Sequence, residues 1–280
     1  MSSNSPITGH TQGDSTATVA PDRPQPETSN TNHDQTPPPA RLRVITAVFC
    51  IPMMALATAF FGCISLVCGL WDTSGRQQHS VARIWAATML RLAFSPVRLM
   101  EKASTALPHP AVYASNHLSY MDTPVLFAKL PFQFRILAKK GLWKIPFVGW
   151  YLKRSGQVPI DSGSSRSAIA GLLRGVATLK SGRSLFVFPE GGRSPDGTLH
   201  PLASGTAFMA IRAGVPLVPI ALIGTYEVLP MHCYALRPRP LKIVIGDPIP
   251  TEGLTTRDAD ALTARLYAAI SSMYHEYSSE

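Results

Sequence analysis

Residues 111–124 read Ala-Val-Tyr-Ala-Ser-Asn-His-Leu-Ser-Tyr-Met-Asp-Thr-Pro. A short apolar run, Ala111–Ser115, gives way to polar Asn116-His117 and then to Asp122-Thr123-Pro124. That order predicts a buried strand whose end leads to a helix start, where aspartate caps free N–H groups and proline is tolerated in the first turn. A second strongly apolar run, Ser184–Phe188, ends on Pro189-Glu190-Gly191-Gly192-Arg193-Ser194. Working outward, further strands are expected at Arg135–Ala138, Gln157–Ile160, Leu217–Ile223 and Leu241–Ile245. Helices are expected at about Pro124–Lys129, Leu142–Leu152, Ser165–Lys180, Ala203–Ala213 and Arg257–Tyr277. Ser165–Lys180 shows the helical period plainly, with Ile169, Leu172, Leu173 and Val176 at i, i+3, i+4 and i+7. Strands alternating with helices predict an α/β fold. There is no internal repeat.

The first 40 of the 280 residues are rich in Ser, Thr, Asn, Gln and Pro and contain no aromatic side chain. Such a stretch buries too little apolar surface to offset the entropy of ordering, so residues 1–40 are expected to be a disordered tail. No basic and apolar leader of the secretory kind stands near Met1. The remainder suffices for one sizeable α/β core with an N-terminal appendage, divided as 41–100 and 101–280.

The net charge is +9, and the tail contributes four acids (Asp14, Asp22, Glu27, Asp34) against Arg23, or −3, leaving +12 on residues 41–280. A basic domain calls for an anionic partner: nucleic acid, an anionic membrane or a phosphorylated substrate. Cys50, Cys63, Cys68 and Cys233 form no CxxC pair and no metal-ligand spacing, so neither a disulfide framework nor a metal site is expected.

Between Val44 and Leu70 stand 27 residues without a charge. As a helix they extend about 40 Å, against roughly 30 Å of bilayer hydrocarbon. Pro52 removes a backbone donor and should kink such a helix. Then follow Arg76, Arg83, Arg91 and Arg98, which fall within about 80° of one another on a helix. This basic stripe fits a helix lying on anionic lipid, and equally an ordinary solvated face.

His117 and Asp122, five residues apart at a strand end, suit a pair in which the carboxylate fixes the imidazole tautomer and the other ring nitrogen acts as base. A helix-capping turn at Asp122 is the plainer alternative. Gly191 and Gly192 let a backbone approach a ligand, Arg193 offers a planar fork for phosphate oxygens, and Glu190 is placed to orient that fork. A tight surface turn with a solvated arginine is the alternative there. Residues 123–160 add seven basic residues and no acid, interleaved with Trp143, Phe147, Trp150 and Tyr151, as where protein meets a membrane interface. GxGxxG, GxxxxGK[ST], HExxH and GxSxG signatures are missing. No recognised nucleic-acid-binding motif is present, and nucleic-acid binding leaves the apolar run unexplained.

Taken together, Asn116-His117-x4-Asp122, Phe188-Pro189-Glu190-Gly191-x-Arg193-Ser194 and Leu217-Val218-Pro219-Ile220 resemble the lysophosphatidate (1-acylglycerol-3-phosphate) acyltransferase family of glycerolipid acyltransferases. The likeness covers roughly residues 80–250 and includes Ala138-Lys139-Lys140-Gly141-Leu142, Pro146, Gly149, Gly156 and Ile160-Asp161. It implies a mixed central sheet flanked by helices, with an N-terminal helical pair that docks on a membrane. It implies His117 as base and Asp122 as its partner, with Asn116, Lys139, Arg166, Glu190, Gly191, Gly192 and Arg193 in substrate binding. The implied reaction moves an acyl group from acyl-CoA or an acyl carrier protein to lysophosphatidate, without metal or cofactor, on an anionic phospholipid membrane. Other acceptors, such as glycerol 3-phosphate, and a non-catalytic membrane adaptor remain alternatives. Two positions depart from the family pattern. Gly192 stands where threonine is usual, and Ser162 follows Ile160-Asp161 where arginine is usual, Arg166 being the nearest guanidinium. Arg41 and Arg43 place the start of the apolar run in the cytosol, where acyl thioesters are made. A segment that dips into one leaflet and returns is therefore expected, with the catalytic domain on the cytoplasmic face.

Overall fold

The computed structural model describes residues 39–279, apart from 104, 105, 162 and 234. The expected tail, up to residue 38, and Ser162 lie outside the described residues. Ala40–Cys68 forms one continuous apolar helix of 29 residues. It comprises α1 (Ala40–Ile45), a π-turn at Thr46–Cys50 and α2 (Ile51–Cys68). Pro52 has no N–H to donate, and the π-turn, closed by Ile51 N–H on the Thr46 carbonyl, sits directly ahead of it. The chain therefore does not turn back within 44–70, as a dipping segment requires.

The return is made just after it. Asp72 Oδ1 accepts the Ser74 and Gly75 N–H groups at 3.0 Å each, and Oδ2 accepts Gln77 N–H at 2.7 Å. Gly75, at φ +71°, reverses the chain into α3 (Arg76–Leu92). The α2–α3 pair is antiparallel, since Gln78 Nε2 donates to the Ser65 carbonyl and Trp85 Nε1 donates to Thr58 Oγ1 at 3.0 Å. Val48, Phe49, Leu56, Phe60 and Val67 remain exposed on the first helix.

The four-arginine stripe is corrected here. Arg76, Arg83 and Arg91 lie exposed on α3, but the helix ends at Leu92 and Arg98 belongs to strand β1 (Val97–Glu101). Pro96 disfavours helical backbone at Ser95, and Phe94 already stands at φ 50°. β1 pairs in parallel with the distant β7 (Leu241–Ile245), a contact that local periodicity does not announce.

The other strands are β2 (Val112–Ser115), β3 (Phe134–Lys139), β4 (Val158–Ile160), β5 (Ser184–Val187) and β6 (Leu217–Ile223). They form a seven-stranded sheet in the order β1-β7-β6-β2-β5-β3-β4. Every pairing is parallel except β6 with β7, so the sheet is mixed. The intervening helices are α4 (Asp122–Lys129), α5 (Val148–Arg154), α6 (Ser165–Lys180), α7 (Gly205–Ala213), α8 (Thr225–Val228) and α9 (Ala259–Ser278). The single helix expected over Leu142–Leu152 is broken in two. Ile145 before Pro146 is extended at ψ 124°, and a 3₁₀ turn at Lys140–Lys144 precedes α5.

Strand alternation divides the core. On β2, Tyr113 joins Phe186, Val218 and Ile243 under α3 and α4, while Val112 and Ala114 join Leu185 and Val187 under α6, α7 and α9. Both faces are covered, which explains the unbroken apolar runs. Because β2 and β5 are parallel neighbours, their C-terminal ends deliver the two polar motifs side by side.

Candidate active site

His117 leaves the end of β2 and Asp122 opens α4, so four intervening residues form the loop that folds one onto the other. His117 Nδ1 lies 2.8 Å from Asp122 Oδ2, and the same oxygen accepts Leu118 N–H at 2.7 Å and Ser119 N–H at 2.9 Å. Asp122 is fully buried, so its charge is held by these bonds and not by water. It does both things the sequence left open: it partners the imidazole and satisfies the loop that begins the helix. With Nδ1 committed, Nε2 is the nitrogen left for a substrate proton. The ring stacks on Phe188, centroid to centroid 3.8 Å, and lines a cavity of about 490 Å³.

Glu190 corrects an expectation. Its Oε1 accepts the backbone N–H of His117 at 2.9 Å, so it anchors the His117 loop and does not orient Arg193. Ser194 N–H returns a bond to the His117 carbonyl at 2.8 Å, which ties the β5 loop to the β2 loop at two points. Arg193 instead stacks its guanidinium over Tyr120 at 4.2 Å, and its Nε is buried without a protein partner. Gly191, at φ +75°, Gly192 and Arg193 line the cavity, as does Lys139 at the end of β3. A Cβ at Gly192 meets nothing within 4 Å, so the usual threonine fits there and its absence leaves open space.

Two expected substrate contacts are placed elsewhere. Asn116 is fully buried; its Nδ2 donates to the Leu222 carbonyl and its Oδ1 accepts Leu222 N–H, both at 2.8 Å. It pins the end of β2 to β6 and lies outside the residues lining the cavity. Arg166 is exposed on the first turn of α6, outside the residues lining the cavity. Phe188 under the imidazole and Tyr120 under the guanidinium carry no role that the motifs predict. Aromatic residues abutting a His and an Arg motif were the only signal available.

From His117 the cavity runs past Phe127, Ile136 and Leu142 to Phe61 and Gly62 of α2 and Trp85 of α3. Its lining is mostly apolar, with His117, Lys139 and Arg193 among its polar side chains, which suits an amphiphilic substrate.

The family model described as Acyltransferase matches residues 97–223, which holds both loops. A 1-acyl-sn-glycerol-3-phosphate acyltransferase of Saccharomyces cerevisiae is 32% identical over 209 residues, covering 72% of this chain and 68% of the relative. The chain belongs to this family. Among its acyltransferase relatives is a chloroplastic protein of Arabidopsis thaliana, 34% identical over 191 residues, 66% of this chain and 50% of that one. A chloroplastic relative from Brassica napus is 32% identical over 218 residues, 75% of this chain and 62% of that one. The chain thus spans half to somewhat under two thirds of the length of these plant acyltransferases. The fold matches the crystal structure of the 1-acyl-sn-glycerophosphate (LPA) acyltransferase of Thermotoga maritima. The TM-score is 0.73 at 22% identity, over 85% of this chain and 97% of that one.

The site carries a pH signature. Burial lifts the Glu190 carboxyl from its usual 4.5 up to about 8, against the pull of the His117 N–H. Across that window the folded chain keeps a proton that the unfolded chain gives up, so Glu190 costs stability as pH rises. Glu190→Gln has no proton to lose. Its stability is expected to track the wild type below about pH 4.5 and to gain on it toward pH 8, by up to about 1.4 kcal/mol per pH unit, with the melting temperature rising accordingly. Melting curves of both proteins at several pH values decide it. A constant offset across that range would mean that Glu190 is ionised in the folded site.

Proposed function

We propose that this acyltransferase moves a fatty acyl group from a thioester donor to the free hydroxyl of lysophosphatidate, yielding phosphatidate. The observation that carries the reading is the shared cavity. An Asp122-held imidazole and an arginine with an unpartnered buried Nε line or flank the same apolar space. The acceptor phosphate rests on Arg193 and the open Gly191-Gly192 backbone, with Lys139 near. This sets the acceptor hydroxyl beside His117 Nε2. His117 takes the hydroxyl proton as the oxygen attacks the thioester carbonyl, and buried Asp122 stabilises the imidazolium. A C–O bond forms, the C–S bond breaks, and the departing thiolate takes the proton back from His117. Phe188 and the Glu190 bond keep the ring and its loop in place. An acyl-transfer assay of the purified protein with lysophosphatidate, glycerol 3-phosphate and a neutral-headgroup lyso-lipid tests the acceptor. Preference for the neutral lipid would overturn the phosphate assignment.

The α2–α3 hairpin supports a monotopic association with an anionic phospholipid membrane. Its outer helix exposes a nearly continuous apolar surface, Arg76, Arg83 and Arg91 are exposed on α3, and the cavity reaches Phe61 between them. The α2–α3 hairpin, ending at Leu92, then acts as the membrane-associating part, and the expected boundary at residue 100 moves ahead of β1, which belongs to the catalytic sheet on the cytoplasmic face. Cysteine reporters at Ser15 and Ser279, probed in sealed cells, are expected to share one accessibility. Opposite labelling would establish a span and remove the monotopic arrangement.

A further inference from the structure

A second groove, of about 320 Å³, lies on the surface between α6, α7 and the start of α9. Ile169, Leu172 and Phe208 line it with Thr256, Ala259 and one acid, Asp260. Beside it α6 is unusually apolar for a solvent-facing helix, with Ile169 55% and Leu173 48% exposed. On α6, Arg166, Ile169, Leu173 and Lys180 fall within about 60° of one another at 100° per residue. α7 runs alongside, Gly205 beside Leu172 and Met209 beside Gly175, and presents exposed Arg212 one turn beyond Phe208. α6 and α7 together carry Arg166, Arg174, Lys180 and Arg212 and no acidic residue.

Two placements narrow what this face receives. It lies on the sheet layer opposite α3 and α4, away from the apolar hairpin, so its occupant comes from the aqueous side. Leu172 and Gly205 also line the His117 cavity, and so form the wall shared by the two spaces. The two pack closely, since a Cβ on Gly205 would press on Leu172 at 3.0–3.2 Å.

We propose that the α6–α7 face docks the protein that delivers the thioester, an acidic acyl carrier protein. This rests on the acyl-transfer reading above. The carrier's acidic surface meets Arg166, Lys180 and Arg212, an apolar side chain seats in the groove at Ile169 and Phe208 beside exposed Leu173, and the acyl arm enters past Leu172 toward His117. Arg166, remote from the acceptor phosphate, finds its place here.

The test compares two donors bearing the same acyl chain, acyl-carrier protein and acyl-CoA, on full-length protein with lysophosphatidate as acceptor. The variant is the exposed-surface pair Leu173→Glu with Lys180→Glu. Charge repulsion against an acidic carrier is expected to raise the KM for the carrier donor by about tenfold or more, leaving acyl-CoA kinetics within about twofold. A matching acid-to-lysine change on the carrier should restore part of the loss. Equal loss with both donors, no loss with either, or a wild type that accepts acyl-CoA but not the carrier thioester would overturn the docking site while leaving the acyl-transfer reading intact. A wild type inactive with both donors would remove that reading itself.

Discussion

His117→Ala is expected to lower acyl transfer by about 10²–10⁴ in rate, the usual cost of losing a general base, with the melting temperature little changed. The imidazole is held by one side-chain contact, Asp122 Oδ2 at 2.8 Å, and one stacking contact, Phe188, and neither forms part of the sheet. Asp122 is a different matter, because its Oδ2 also accepts the Leu118 and Ser119 N–H groups. Asp122→Asn keeps an acceptor for those two groups but loses the charge that stabilises the imidazolium, so activity falls while the fold persists. Asp122→Ala strands two buried N–H groups, at about 1–3 kcal/mol for each, and is expected to lower both activity and melting temperature. Rates and melting curves on the three variants separate the roles. Near wild-type turnover in folded His117→Ala would remove His117 from the chemistry.

Arg193→Ala is expected to raise the acceptor KM by about 10- to 100-fold, the equivalent of one charge-assisted hydrogen bond of about 1.5–3 kcal/mol. The donor KM should move little. The guanidinium is already oriented, lying 4.2 Å over Tyr120 with a buried Nε that no described protein group satisfies, which leaves a donor for the phosphate of the proposed acceptor. Arg193→Lys keeps the charge and discards the planar fork, and should fall between the two. Steady-state kinetics with each substrate varied in turn give the answer. A raised donor KM at constant acceptor KM would move Arg193 to the thioester side of the cavity.

Much of the site was written in local sequence. The spacing of His117 and Asp122 brings them together because a strand end, a short loop and a helix start need nothing distant to meet. Ser165–Lys180 is helical as its i, i+3, i+4 period predicts, though Ile169 and Leu173 of that face stay exposed, and its start is closed by a Ser164–Ser167 capping box. Where expectations failed, the competing influence was identifiable. Ser95-Pro96 ended α3 before Arg98, and Ile145-Pro146 cut the helix expected across it.

Sequence alone determined which segments are buried strands, which helix is apolar enough to meet a membrane, and that His117 and Asp122 would meet at the end of a strand. Those properties reside in local composition and period. Tertiary structure alone decided that β5 lies beside β2, bringing Glu190 to the His117 N–H across 73 residues. It also decided that Asn116 is spent on Leu222, 106 residues away, and that Arg98 pairs into a sheet edge beside Lys242. A parallel neighbour is reached through a crossover whose length and period are silent about which strand it returns to. Backbone N–H and carbonyl groups, identical at every position, then claim whichever polar side chain the sheet order brings within reach.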